Sequence, residues 1–471
     1  MIIEQIYTGC LAQGAYYIES KGEAAIIDPL REIKPYLDRA KASGATIKAI
    51  FETHFHADFV SGHVDLAKAT GAPIIFGPNA HPEFPFHSGK DGETFSIGDI
   101  SIQLLHTPGH TLESTTYLLR DENQKEICIF SGDTLFIGDV GRPDLAAKSH
   151  LSKEDLAGLL FDSLRNKIMP LPDSVIVYPA HGAGSACGKN MSKETFDTLG
   201  HQKEVNYALR SNMTKDEFIA EVIDGLAPPP AYFPMNVMMN KTGYDGIEDV
   251  IHRGRMPLTP SEFELLVNES HALVLDTRSA DEFAHSHIPN SIFIGIDGGF
   301  APWVGTLIPD IQQKLLIVAP EGREEEVVTR LARVGYDYAL GFLKGGIAAW
   351  KADGKEVESI QRLTPEALKN ESESHPENII LDVRKPGEFQ AEHVLNVQHL
   401  PLDFINENMA ELNRNQRYLI HCAGGYRSMI FASILKSRGF ENIADVIGGF
   451  GKIKASGLFE TTNFVCPSSK A

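Results

Sequence analysis

The sequence predicts an α/β protein of three domains, and three observations carry that expectation. Residues 1 to about 225 alternate short, β-like apolar runs with helical ones. A stiff segment with few amide donors follows, Ala227-Pro228-Pro229-Pro230-Ala231-Tyr232-Phe233-Pro234, and reads as a linker or strap at a domain edge. Behind it one block occurs twice at a spacing of about 105 residues. At 471 residues the chain is too long for one ordinary core. The expected domains span residues 1–235, 250–356 and 360–465.

In the first block, residues 16–27, 47–51, 73–76, 100–105, 115–119, 127–130 and 175–177 read as strands, and 35–42, 64–70 and 156–164 as helices. The later repeat is literal. Leu258-Thr259-Pro260 returns as Leu363-Thr364-Pro365, and Leu275-Asp276-Thr277-Arg278 as Leu381-Asp382-Val383-Arg384. Glu282-Phe283 with His287 returns as Glu388-Phe389 with His393, and Gly345-Gly346-Ile347 as Gly448-Gly449-Phe450.

Composition narrows the function. Apolar residues make up 42% and charged ones 23%, as in a soluble globular protein. No apolar run approaches the roughly 18 residues of a spanning helix, and residues 1–9 do not read as a signal peptide. A net charge of -20 repels phosphate backbones, so nucleic acid is not an expected partner, and without a spanning run neither is a membrane. Cys10, Cys128, Cys187, Cys422 and Cys466 are odd in number and scattered, which is no disulfide framework and makes a reducing cytoplasm the default.

Four short pieces of the first block carry chemistry. Thr53-His54-Phe55-His56-Ala57-Asp58-Phe59 follows a strand, as do Thr107-Pro108-Gly109-His110-Thr111, Ser131-Gly132-Asp133-Thr134 and Tyr178-Pro179-Ala180-His181-Gly182. Imidazoles and carboxylates crowded this closely are costly to bury unless they bind something. Their order and the His-x-His-x-Asp pattern resemble the metallo-β-lactamase superfamily, which implies an αββα sandwich with a metal at one edge of its sheets. That superfamily usually has a further histidine directly after the aspartate, and this chain has Phe59 there. Phenylalanine cannot ligate, so a second metal position would keep only Asp58 and His181.

The set His54, His110 and Asp133, two imidazoles and one carboxylate, leaves one face of an ion open and suits ferrous iron and dioxygen. In this respect the chain resembles the persulfide dioxygenase branch, whose single Fe(II) is held by the matching residues. His56, Asp58 and His181 are then ligand-orienting groups, with His56 as a fourth ligand left open. Gly141-Arg142-Pro143-Asp144 also resembles that branch. Arg142 is a candidate clamp for a substrate anion, against the alternative of a plain salt bridge. Cys187, in Gly184-Ser185-Ala186-Cys187-Gly188, has no assigned role.

A second site is expected in the last domain. The strand-like 418–420 runs into His421-Cys422-Ala423-Gly424-Gly425-Tyr426-Arg427-Ser428, and an amphipathic helix follows over 429–438. A cysteine between a strand end and a helix start lies in an anion cradle that favours the thiolate. The six-residue loop Cys422–Arg427 resembles that of rhodaneses. The resemblance implies a Cys422 persulfide held by Ala423, Gly424, Gly425 and Tyr426, with Arg427 supplying fixed positive charge. In the first copy Ala319 stands where Cys422 stands and Glu324 where Arg427 stands, so this copy has the fold without the chemistry, a spacer or an interface.

Together the resemblances imply a fusion that oxidises a low-molecular-weight persulfide, of glutathione or coenzyme A type, with O2 to sulfite and thiol. Cys422 would move sulfur between persulfide, sulfite and thiosulfate. Two alternatives stand beside this: a glyoxalase II-like zinc thioester hydrolase, and a non-catalytic sulfur carrier or scaffold. The sequence leaves the oligomeric state open, a homo-oligomer included.

Overall fold

The computed structural model describes residues 1–147, 151–226 and 228–465. The chain divides into two compact units, Met1–Ile247 with Ala332–Gly335, and the remainder from Glu248 onward.

Two six-stranded sheets build the N-terminal unit. One runs Ile2–Thr8, Gln13–Ser20, Glu23–Ile27, Thr46–Phe51, Ile74–Phe76, His87–Ser88 across its width. The other runs Asp197–Thr198, Ile176–Pro179, Glu126–Gly132, Thr115–Arg120, Ile100–His106, Thr94–Ile97. Central strands are apolar on both faces because both faces are covered. Tyr16, Ile18, Ala25, Ile27 and Phe51 meet Ile102, Leu104, Tyr117, Leu119 and Phe130 between the sheets. The intervening Ala15, Tyr17, Ala24 and Ile26 pack outward on Tyr36, Ala40 and Leu66 of the helices Lys34–Ser43 and His63–Thr70. On the other side Leu118 and Ile129 pack on Leu160 and Phe218 of Lys153–Ser163 and Lys215–Ile223. Period-two alternation thus yields four layers, helix–sheet–sheet–helix, the sandwich expected from the sequence.

The single strand expected over 16–27 is a hairpin instead. Lys21 and Gly22 both have positive φ, 49° and 77°, which is the geometry of a tight two-residue turn. The edge strand Ile2–Thr8, which pairs with Gln13–Ser20 along its length, was not expected, because its apolar residues come in doublets rather than alternating. The proline strap, whose Ala227 lies outside the described residues, ends in a helix rather than a free linker. Phe233–Thr242 carries Pro234 in its first turn, where a missing N–H does no harm. Cys466 also lies outside the described residues.

The C-terminal unit contains two five-stranded parallel sheets of identical order. They are Pro257–Leu258, Ala339–Leu343, Leu315–Val318, Leu273–Asp276, Ile292–Phe293, and Gln361–Leu363, Ile443–Val446, Tyr418–His421, Ile379–Asp382, Gln398–His399. The repeated residues are mostly structural. Arg278 and Arg384 turn back on the aspartates two positions earlier, with Nε–Oδ1 distances of 2.9 and 3.0 Å to Asp276 and Asp382. His287 and His393 stack on Phe283 and Phe389, and their Nδ1–H groups donate to those residues' carbonyls at 2.9 and 2.7 Å.

Candidate metal centre and cysteine loop

The four chemical pieces converge because each follows a strand whose carboxyl end lies at the same edge of the sandwich. Residues 51–63 are buried throughout. His110 Nε2 lies 3.4 Å and His54 Nε2 3.8 Å from Asp133 Oδ2. His181 Nε2 is 3.5 Å from Asp58 Oδ1 and 3.6 Å from Asp133 Oδ1. Donor atoms of His54, His110 and Asp133 fall within 4.8 Å of one another, and so do those of His56, Asp58 and His181.

These donors fit a divalent cation. Both oxygens of Asp133, Asp58 Oδ1 and both nitrogens of His181 are buried without hydrogen-bond partners, whereas buried polar atoms are normally paired. Burial pushes the Asp58 and Asp133 carboxyls up to about 6, holds His110 down to about 4, and drives His54 and His181 down as well. An enclosed set of poorly ionised groups around one point is what a cation compensates.

Neighbouring groups fix the donors. Asp28 accepts from the Thr53 amide at 2.7 Å and its hydroxyl at 2.9 Å, and that hydroxyl lies 3.0 Å from His54 Nδ1. His110 Nδ1 faces the Arg142 carbonyl at 2.8 Å; a carbonyl only accepts, so Nδ1 carries the proton and Nε2 offers its lone pair inward. His56 Nε2 lies 3.2 Å from Asp28 and 3.6 Å from Glu52. Burial opposes its charge, but Asp28 and then Glu52 outweigh it and lift His56 to about 9. Gly132 holds φ +54° with Thr53 against it; a Cβ there would come within 2.6 Å of the threonine side chain.

The sequence reading missed Asp28, Glu52 and Asn240. Asn240 is 1% exposed and lies on the helix after the strap. Its Nδ2 donates to the carbonyls of His56 and Phe59, both at 2.8 Å, and its Oδ1 accepts from the Ser61 amide at 2.8 Å. One side chain thereby pairs three backbone groups of the histidine loop. Only the fold brings it there, from 179 positions away in sequence.

Phe59 is fully buried, its ring 4.4 Å from that of His56. Arg142, read as an anion clamp or a plain salt bridge, pairs with an acid two positions on. It is 5% exposed and grips Asp144 through Nε and Nη2, both at 2.7 Å. Its carbonyl bears on the site through His110. The Cys187 thiol is buried, its sulfur lies within 4.8 Å of donor atoms of Asp133 and His181, and burial pushes its pKa well up.

In the second site, the strand Tyr418–His421 delivers Cys422 to the start of the helix Tyr426–Ser437. The Gly425 amide donates to Cys422 Sγ at 3.1 Å, and the Ser428 hydroxyl lies 3.5 Å from it. Ser428 in turn donates to Asp445 at 2.6 Å, and Arg362 Nε reaches the other oxygen of Asp445 at 2.9 Å. Gly425 (φ +98°) and Gly449 (φ +55°) are required here: a Cβ on Gly449 would stand 2.2 Å from the Cys422 carbonyl. Ala423 and Gly424 are exposed at the mouth of the loop. Arg427 does not stand free as the expected positive charge; Glu388 grips both its terminal nitrogens, at 2.6 and 2.8 Å. The Tyr426 side chain points out of the loop, its hydroxyl donating to Gly295 of the first copy at 2.7 Å.

Residues 8–181 match the metallo-beta-lactamase superfamily profile, and residues 259–353 and 364–456 each match the rhodanese-like domain. A crystal structure of a metallo-beta-lactamase from Staphylococcus aureus subsp. aureus COL superposes with a TM-score of 0.64 at 31% identity, over 73% of this chain and 98% of that one. A probable metallo-hydrolase of Burkholderia pseudomallei is 28% identical over 247 residues, 45% of this chain and 81% of that protein. A probable hydroxyacylglutathione hydrolase of Schizosaccharomyces pombe is 32% identical over 168 residues, 35% of this chain and 60% of that protein.

Proposed function

Because the chain belongs to the metallo-β-lactamase superfamily and carries two rhodanese-like domains behind that fold, we propose that it is an iron-dependent persulfide dioxygenase joined to a sulfurtransferase. The observation that carries this is Phe59, packed on His56 at the place of the usual extra ligand. It leaves His54, His110 and Asp133 as a two-imidazole, one-carboxylate set beside a position where Phe59 supplies no ligand.

A ferrous ion in that set would let dioxygen react stepwise with a sulfur anion. The chain's own residues have defined tasks. His110, with Nδ1–H held by the Arg142 carbonyl, and His54, steered by Thr53 and Asp28, present fixed lone pairs. His56 and Asp58 are buried beside that set, and the buried Phe59 ring packs on His56. The balanced reaction is RSSH + O2 + H2O giving RSH and sulfurous acid, which ionises to sulfite. At the second site, the Cys422 thiolate takes the outer sulfur of a second RSSH, releasing RSH. Sulfite then attacks that sulfur, forming thiosulfate and returning the thiolate. The Gly425 amide and the helix start favour the anion at each stage. Carrying both sites on one chain raises the local concentration of sulfite near Cys422.

Metal content and oxygen consumption on glutathione persulfide test this together. One iron per chain, and oxygen uptake that His110→Ala abolishes, are expected. Uptake that persists in that variant would remove the iron assignment.

A second reading has its own support. His56, Asp58 and His181 approach one another closely enough to share an ion despite Phe59. A dinuclear thioester hydrolase would then hold two zinc ions and cleave lactoylglutathione under nitrogen.

A further inference from the structure

We propose that the cysteine-less rhodanese copy positions the sulfur-transfer loop of the other copy, acting through Tyr426. This rests on Cys422 being the sulfur carrier. Tyr426 is the fifth residue of the loop and the first of the helix Tyr426–Ser437. Its side chain is turned toward the first copy. The hydroxyl donates to the Gly295 carbonyl at 2.7 Å, and the ring stands edge-on to Phe293 with centroids 6.0 Å apart. The ring also lies on Gly298 so closely that a Cβ at that position would meet Tyr426 Cζ at 2.2 Å.

Two further ties reach the same segment. The Phe293 amide donates to Ser433 Oγ at 2.9 Å, two turns down the same helix. On the first copy's side, Arg330 holds the Ile296 carbonyl at 2.7 Å and Arg323 holds Asp297 at 2.7 Å. Arg323 occupies, in the first copy, the loop position that Tyr426 occupies in the second. Residues 293–298 are therefore pinned from their own copy and grip the loop helix at 426 and 433.

The consequence for chemistry lies one residue back. Gly425, whose amide points at Cys422 Sγ from 3.1 Å, is bonded directly to Tyr426 and has the conformational freedom of a glycine at φ +98°. Nothing in its own backbone preference fixes that amide; the anchored Tyr426 does. Released from Gly295 and Gly298, the start of the helix could turn, and the amide would leave the sulfur.

The test uses the full chain with Gly298→Ala, Tyr426→Phe, Tyr426→Ala and the double variant Gly298→Ala/Tyr426→Ala. Sulfur transfer from thiosulfate to cyanide gives kcat and KM. Alkylation of Cys422 by iodoacetamide, followed on its own peptide by mass spectrometry across pH, reports thiolate stabilisation. Oxygen uptake on glutathione persulfide and the melting temperature serve as controls. The expected result is a kcat about tenfold lower in Gly298→Ala, an alkylation midpoint about half a pH unit higher, and unchanged oxygen uptake. The double variant should match Tyr426→Ala alone, because the added methyl has no ring left to strike. Unchanged kcat and midpoint in both Gly298→Ala and Tyr426→Phe would overturn the proposal, as would losses that simply add in the double variant. If Gly298→Ala does not fold, Tyr426→Phe alone decides, through the same midpoint. Absence of turnover in the unaltered chain would instead sink the sulfur-carrier reading, while alkylation still decides the positioning.

Discussion

Removing the Asn240 side chain should loosen the histidine loop. Asn240→Ala leaves the carbonyls of His56 and Phe59 and the amide of Ser61 without partners. Each unpaired buried polar group costs about 1–3 kcal/mol. The vacated space has the size of an amide and is lined by polar atoms, so entering water recovers part of this. Taking the low end for each of the three groups, the expected loss is about 3 kcal/mol, a large share of the 5–15 kcal/mol typical of a domain. Two compact units make global melting a poor monitor. Hydrogen exchange of the peptide spanning 53–63 reads the effect locally, and the Ser61 amide should lose protection most. Thr242→Ala, on the same helix with an exposed hydroxyl donating to Met238 at 3.0 Å, is the control and should stay within about 0.5 kcal/mol. Protection of the loop unchanged within 1 kcal/mol in Asn240→Ala would refute the reasoning.

Phe59→His should raise bound metal from one equivalent to two by restoring a donor beside Asp58 and His181, as read by elemental analysis; a stoichiometry that stays at one would show that the wall cannot admit an ion. Cys422→Ser should abolish thiosulfate turnover while persulfide-dependent oxygen uptake continues, and loss of both would mean the two sites are not independent. The C-terminal unit should weaken on acidification. Burial holds the His287 imidazole down to about 4, against 6.5 when exposed, so between those values the unfolded chain binds a proton that the folded one refuses. Stability is then complete above pH 6.5 and falls as pH drops toward 4, by at most about 3 kcal/mol. Urea midpoints at pH 7 and 4.5 should differ less in His287→Gln, and an equal drop in both proteins would count against this origin.

Much of the candidate site was legible because donor identity is local. Histidine and aspartate beside strand-ending turns announce themselves, and so does a cysteine followed by glycines and a helix. What escaped was contributed from a distance by ordinary residue types. Asp28 and Glu52 look like any loop acid, and Asn240 like any helical amide, until the sandwich closes around residues 51–63. The same limit hid the partners of two arginines. The chemistry of Arg142 and Arg427 suits an anion, but Asp144 and Glu388 already occupy both forks.

By itself, the sequence determined the repeat, since recurring blocks are read directly, while the layers came from the resemblance its motifs carry. It also determined which residue types could hold a metal or carry sulfur. Tertiary structure alone decided which charges are neutralised, which backbone groups of the histidine loop find partners, and what the copy without a cysteine touches. Those depend on distances between residues that share no local pattern, and burial makes each such distance matter by removing the water that would otherwise blur it.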